Sequence, residues 1–587
     1  MRFLVGLVAA AALAGCAGHG VSPRADSAAA GPVRVKIVAF NDFHGHLEPP
    51  KLAIAASAAG GGEVQVPAGG AAWLATAVAT LRRGYPNSVV VSAGDMTSAS
   101  PLASSLFLDE PTITAMNLVG VDFNAVGNHE FDRGQQELKR LQDGGCAKNT
   151  QREPCALDRF EGARFRYLSA NVATAQGGTL FPAYGIRTFG SGRRQVRVAF
   201  IGMTLKGTPS LVMASGIAGL RFEDEADTVN ALVPKLKAEG ADAIVVLIHQ
   251  GGYSKLGFNA HGCDGMTGDI FPILQRLDPR VDLVVSGHTH EDYICDYGTV
   301  DPGRPFLLTS AGYGGTLLTD ITLDVDPVAG RVVAKHADNV IVQSESFATS
   351  KVKAEATDAY PRFSPEPRVA ALVARYAEAA KRFAERPVGR LTAPALRDTD
   401  DMKEQVLGNL IADAQLAATV DPQAGGAEIA FMNPGGVRAD LNTRADGTVT
   451  FGDIYAVQPF GNVLTVLRMT GRQLRAVLEQ QFDEGKAGGQ SLLLVSRGFS
   501  YGFDLGRPVG QRVIDPRLNG EPIVDERVYR VSVSNFLANG GDGFTSFAAG
   551  TDPVLGMTDL EALERYLGRG EAVTPPALGR IRDLTRR

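Results

Sequence analysis

Histidine is scarce in this chain of 587 residues: there are nine, and six of them (His44, His46, His129, His249, His288, His290) fall in five short segments. Cysteine is scarcer, with five residues and no C-x-x-C spacing, which argues against a thiolate zinc site. Basic residues do not outnumber acidic ones (58 against 64, net charge −6), so no footprint for polymeric nucleic acid is present. No stretch approaches the roughly 20 apolar residues that a transmembrane helix needs. No repeat relates the two halves. What remains is a chain of 44% hydrophobic residues and mean hydropathy near zero, fitting a soluble globular protein. Its length exceeds one hydrophobic core, so two large domains are expected.

The N-terminus reads as a targeting segment. Arg2 precedes an apolar run from Phe3 to Leu13, of signal-peptide length. It ends in Leu13-Ala14-Gly15-Cys16, a pattern similar to a bacterial lipobox, so residues 1–16 are expected to be a lipoprotein signal with Cys16 as the lipidated, membrane-anchoring residue. The alternative is an ordinary secretory signal. Residues 17–32, rich in Ala, Gly and Ser, then form a tether. Export makes disulfides permissible, and four cysteines remain, with three possible pairings. Cys146–Cys155 and Cys263–Cys295 are favoured. The second would join the loops that follow His249 and His290.

Five segments share one design, an apolar strand with metal-binding residues at its tip. They are VRVKIVAF-NDFHGH (Asp42, His44), SVVVSAGD (Asp95), VDFNAVGNHEFD (Asn128, His129, Asp132), AIVVLIHQGG (His249) and VDLVVSGHTH (His288, His290). An open α/β sheet binds ligands just beyond the carboxyl ends of its strands. Seven N/O donors can therefore surround one crevice, which reads as a two-metal hydrolase site. Any one motif alone is explained by a turn or a core histidine; their co-occurrence is not.

From Val33 to about Val342, strands alternate with helical stretches at Ala71–Arg83, Pro111–Val119 and Ala226–Glu239, which argues an α/β domain over residues 33–345. A linker over 346–387 contains an amphipathic helix from Glu366 to Arg386, with Val369, Leu372, Val373, Tyr376 and Phe383 on its apolar face. The second domain spans 388–587. Its markers are a helix carrying Leu407-Gly-Asn-Leu, then N-P-G-G-V-R at Asn433–Arg438, P-F-G-N at Pro459–Asn462 and N-G-G-D-G-F at Asn539–Phe544.

Together, N-D-F-H-G-H, G-N-H-E-F-D, G-H-T-H, N-x-G-G-x-R, P-F-G-N and N-x-G-G-D-G-F resemble the bacterial 5′-nucleotidase/UDP-sugar hydrolase family, over nearly everything after the tether. The resemblance implies a four-layer αββα metallophosphatase sandwich, then a second α/β nucleotide-binding domain that rotates against the first. It assigns Asp42, His44 and His290 to one metal, Asn128, His249 and His288 to the other, and Asp95 as the bridge. Neutral imidazole and carboxylate suit Zn²⁺ or Mn²⁺, and a bridging anion offsets repulsion between dications. His129 would face the phosphoryl group, oriented and charged by Asp132, and His46 is left as a supporting residue. On the substrate side, Phe460 and Phe536 would sandwich a nucleobase. Asp542 would accept from ribose, Arg438 would bind phosphate beside Asn433, and Asn462 would touch the base edge. One departure stands out. Where many members have an arginine ahead of the L-G-N-L turn and an asparagine just before it, ungapped alignment places Asp401 and Val406, with Arg397 or Lys403 as substitutes.

The resulting expectation is a monomeric, exported phosphohydrolase that removes phosphate from nucleoside 5′-monophosphates and also cleaves nucleotide sugars. The alternatives are a 2′,3′-cyclic phosphodiesterase/3′-nucleotidase and, in another class, a surface-anchored binding protein without turnover. Retention of every ligand and of His129 and Asp132 argues against the last.

Overall fold

A computed structural model describes residues 31–585 except 59, 60, 151, 193, 350, 351, 399 and 484–489. The expected signal segment, Cys16 and the tether up to residue 30 lie outside the described residues. Two six-stranded sheets build the first part of the chain. In one, Val33–Phe40, Ser88–Ser92, Phe123–Ala125 and Arg166–Leu168 run parallel, and Leu317–Asp326 and Arg331–Ile341 add an antiparallel margin. In the other, Arg194–Met203, Ala243–Ile248, Leu283–Ser286 and Leu307–Ala311 are parallel, between antiparallel edge strands Tyr184–Ser191 and Asp292–Asp296.

Alternation along the strands sorts the side chains into layers. Val35, Ile37 and Ala39 enter a core shared with Val198, Phe200, Val245 and Val285 of the opposite sheet. Their neighbours Val38 and Phe40 point outward, under helices Ala71–Arg82 and Glu110–Val119. On the far side, Ile201, Val246 and Ile248 meet helix Glu225–Ala238. Three apolar interfaces separate four layers, so the αββα expectation is met. The central parallel strands are buried on both faces and read as continuous apolar runs, whereas the antiparallel margin strands alternate. Both expected disulfides, Cys146–Cys155 and Cys263–Cys295, are present.

Helix Pro367–Ala384 starts where the Glu366 side chain accepts from the Val369 amide. Val369 and Val373 pack on the first core, whereas Tyr376 and Ala380 join Leu102, Phe107 and Tyr455 in a cluster shared with the second part. Phe383, expected on the apolar face, is instead 39% exposed. Ala384 makes the packing contact in this turn, and Arg382 lies over the Phe383 ring.

The second part is built on a five-stranded mixed sheet and a four-stranded one around one large core, with a smaller cluster of Leu416, Ala427, Ala430 and Val466 beside it. Helix Val406–Thr419 is buried almost throughout. Its Gly408 lies where an added Cβ would collide with Leu494.

Candidate active site

The parallel strands of both sheets deliver their carboxyl ends to one edge, where the five motif segments meet. Two ligand groups form there, Asp42 with His44 and His290, and Asp95 with His249 and His288. They adjoin. His44 Nε2 lies 3.3 Å from His290 Nε2 and 3.7 Å from Asp95 Oδ2, and His249 Nε2 lies 3.0 Å from Asp95 Oδ2 and 3.1 Å from Asn128 Oδ1. All seven expected ligands therefore converge. His46 does not join them; it sits edge-on to Tyr313, and burial and the charge of Arg438 push its pKa down to about 4.

Three of the seven are held from behind. His249 Nδ1–H donates to Ala93 O at 2.8 Å and His44 Nδ1–H to Ser98 O at 2.9 Å, which fixes the tautomers and turns both Nε2 atoms inward. Asp42 accepts from the Asn41 amide at 2.7 Å and from His288 N–H at 2.9 Å. Glycine allows the close approach: a Cβ on Gly127 would lie 2.2 Å from Asp95 Oδ1, and one on Gly94 would lie 2.6 Å from His249 Nδ1. Asp42, His44, Asp95, His288 and His290 all have positive φ, between 46° and 72°. Such a conformation costs of order 1–3 kcal/mol per residue and persists only where the surroundings over-determine it.

The donor set fits divalent cations. Asp42 and Asp95 are buried, and among the described residues no lysine or arginine forms an ion pair with either. Burial raises Asp42 to about 7, only partly offset by His249. Buried carboxylates facing imidazole Nε2 atoms, with no lysine or arginine paired to them, make a cation site.

His129 stands beside the ligands. Its Nδ1 bonds Asp132 Oδ2 at 2.8 Å and its backbone N–H donates to Asp95 Oδ1. Burial disfavours the charged imidazole, but the carboxylates of Asp132 and Asp95 prevail and raise its pKa. The Phe460 ring lies parallel to the His129 ring, 5.6 Å away and tilted by 11°. The Arg438 guanidinium is 5.8 Å from the Phe460 centroid, and its charge is felt by His44, His288 and His290. Arg397 donates to the carbonyls of Val437 and Arg438 at 2.9 and 3.1 Å. Lys403 instead faces Asp398 and Asp400.

The remaining candidates are engaged with protein. Asn433 donates to Asp542 at 2.6 Å and Asn462 to Asp559 at 3.1 Å. Of the two rings expected to sandwich a nucleobase, Phe460 covers His129 and Phe536 lies against Gly541. Three supporting residues had not been singled out. Asn41 holds Asp42 in place, and Tyr313 stacks on His290 at 4.7 Å. The buried Glu130 carboxylate accepts the backbone N–H groups of Gly127, Met96 and Asp95 at 2.6–2.9 Å. Glu130 was visible within G-N-H-E; Tyr313 carried no signal.

Comparison with known proteins agrees with this geometry. The calcineurin-like phosphoesterase family matches residues 35–292, and the C-terminal domain of 5′-nucleotidases matches residues 387–549. The cell wall protein Lmo0130 of Listeria monocytogenes is 30% identical over 94% of this chain and 70% of its own length. The chain belongs to the 5′-nucleotidase family of calcineurin-like phosphoesterases. Another family relative, the endonuclease YhcR of Bacillus subtilis, is 30% identical over 91% of this chain, which spans 40% of that protein's length. Among solved structures, a 5′-nucleotidase precursor from Thermus thermophilus superposes with TM-score 0.72 at 26% identity, covering 94% of this chain and 99% of that one. Among the described residues no helix is long and apolar enough to cross a membrane.

Proposed function

We propose that the protein is a dimetal phosphohydrolase that removes the phosphate of nucleoside 5′-monophosphates outside the cytoplasm, held at a membrane by lipidated Cys16. The observation that carries this reading is the stack of Phe460 on His129. It brings a second-domain aromatic and Arg438 to the edge of the ligand cluster, where a phosphate and its base could be held at once.

Asp42, His44 and His290 would hold one cation, and Asn128, His249 and His288 the other, with Asp95 between them. When bound, the two cations supply Lewis acidity at the phosphoryl oxygens and lower the pKa of an attacking water. The chain's residues do the rest. Asp132 accepts from Nδ1–H and, with Asp95, favours the cationic His129 imidazole, which then also carries a proton at Nε2 and presents it to the phosphoryl group. Arg438 meets the phosphate with a planar fork. Phe460 offers a face to the base, with Phe536 as the second wall, while Asp542 and Asn433 exchange their mutual bond for the ribose hydroxyls. Asn462, tied to Asp559, holds the P-F-G-N turn and reaches the base edge.

The test is a substrate panel: 5′-, 3′- and 2′,3′-cyclic nucleotides, UDP-glucose and single-stranded DNA, with Mn²⁺ or Zn²⁺ and with a chelator. AMP should be the preferred substrate, and chelation should abolish turnover. Preference for the cyclic nucleotide would move the assignment to the phosphodiesterase branch, and full activity after exhaustive chelation would remove the dimetal reading.

A further inference from the structure

Asp109 is the N-cap residue of helix Glu110–Val119, yet its side chain caps nothing. Aspartate there ordinarily accepts from an amide in the first turn of its own helix. Here the carboxylate is fully buried and turned away from the helix. It accepts from Ser98 N–H at 3.0 Å, from Ser104 Oγ–H at 2.6 Å and from the Arg133 guanidinium. The Asp109 backbone has φ 60°, where glycine is at ease and a side chain is strained. The position keeps a carboxylate despite two local reasons to discard it.

Its partners explain why. The Ser98 carbonyl accepts the Nδ1–H of His44 and so sets that imidazole's plane. Ser98 and Ala99 are themselves left-handed (φ 66° and 48°), in the loop that leaves Asp95. The bond from Ser98 N–H to Asp109 braces this loop from behind. Arg133 directly follows Asp132, whose carboxylate orients His129. Clamping the guanidinium anchors the turn that presents the His129–Asp132 pair. Arg133 also reaches Ser98 Oγ at 3.5 Å. One buried carboxylate thus joins the segment behind His44 to the segment behind His129.

We infer that Asp109 and Arg133 form a positioning pair, which fixes the imidazoles of His44 and His129 relative to each other without touching substrate. Burial alone would push the Asp109 carboxyl up. Arg133 and the hydroxyl donors outweigh it and hold the group below the usual carboxylate range, so the pair is ionic. The inference rests on the dimetal reading above and adds two residues to it.

The test uses Asp109→Gly, which suits the left-handed backbone, with Asp109→Asn, Arg133→Ala and Arg133→Lys in the purified protein. Mn²⁺ affinity is measured by competition with a chelator, without turnover, alongside thermal melting and kcat and KM for AMP. Supporting partners of metal ligands typically contribute about 10–100-fold in metal affinity. Asp109→Gly should lose that much at one of two sites and lower kcat with KM little changed. Arg133→Ala should lower kcat, and Arg133→Lys should restore part of it. Wild-type affinity and kcat in folded Asp109→Gly and Arg133→Ala, with only a lower melting temperature, would overturn the inference. If Asp109→Gly does not fold, Asp109→Asn and the Arg133 pair decide by the same criteria. A wild-type protein that binds two Mn²⁺ without hydrolysing AMP would instead count against the proposed function, and the affinity comparison would still judge the positioning pair.

Discussion

The two sides of the cleft hold their polar residues in different ways. On the metal side, four of the expected ligands are fixed by groups outside the set: Ala93 O behind His249, Ser98 O behind His44, Asn41 behind Asp42, and Glu130 beneath the Asp95 loop. On the substrate side the candidates hold one another, Asn433 on Asp542 and Arg397 on the Arg438 carbonyl, or a neighbour, Asn462 on Asp559. The first arrangement is preorganised and strained, and its strain is paid by the fold. Under the proposed function, the second trades internal bonds for bonds to substrate. Changes on the metal side should therefore appear in kcat and metal content, and changes opposite should appear in KM.

The largest effect is expected at Asp95, whose carboxylate lies against both ligand groups. Asp95→Ala should take activity to background and remove bound metal, measured by elemental analysis beside phosphate release; retained metal would show that Asp95 does not bridge. Next is His129→Ala. Loss of a positioned proton donor costs about 10²–10⁴-fold in kcat, and metal content should be unchanged. Metal loss would make His129 a ligand and erase the distinction between the ligand cluster and the His129–Asp132 pair.

Legibility in the sequence follows the same division. The ligands were readable because strand tips in an α/β sheet converge by topology, so D-x-H, G-D, G-N-H-E and G-H-x-H need no side-chain geometry to be grouped. The layers were readable for the same reason: runs such as AIVVLI have to be buried on both faces. Bracing was not. That Glu130 binds three backbone amides, or that Asp109 leaves its helix uncapped, depends on loop conformations with positive φ that residue identity does not announce. On the substrate side, P-F-G-N marked Phe460 as a candidate for base stacking. Nothing in the chain indicated that this ring would also stack on His129, because that contact is made between domains.

Asp559 extends the comparison to buried charge. It is 3% exposed, and its named side-chain partner is the neutral amide of Asn462 rather than a cation. Burial raises its pKa from 3.8 to about 7. Its folded pKa lies above the unfolded value, so the folded state is penalised where the group must ionise. The penalty is absent below about pH 4, grows as pH rises, and is complete above about pH 7, on the order of 4 kcal/mol at roughly 1.4 kcal/mol per unit. Calorimetry from pH 4 to 8 should show a transition that weakens toward neutrality, and Asp559→Asn should flatten it. An unchanged slope would mean that the carboxylate is better solvated than its burial implies.

The smallest effect, and the one that bears most directly on the cleft, concerns Phe460. A base stacked on an aromatic ring is worth roughly 1–3 kcal/mol, about 5- to 150-fold in binding. Phe460→Ala should raise the KM for AMP by that order and leave hydrolysis of a phosphate ester without a base nearly unaltered. The ring's second contact supplies a sharper criterion. Because Phe460 lies parallel to His129, a ring that also restrains the imidazole would affect kcat for both substrates when removed. A KM effect confined to AMP assigns Phe460 to recognition; a kcat effect shared by both esters assigns it to the metal side. Equal KM effects on the two would remove the stacking argument.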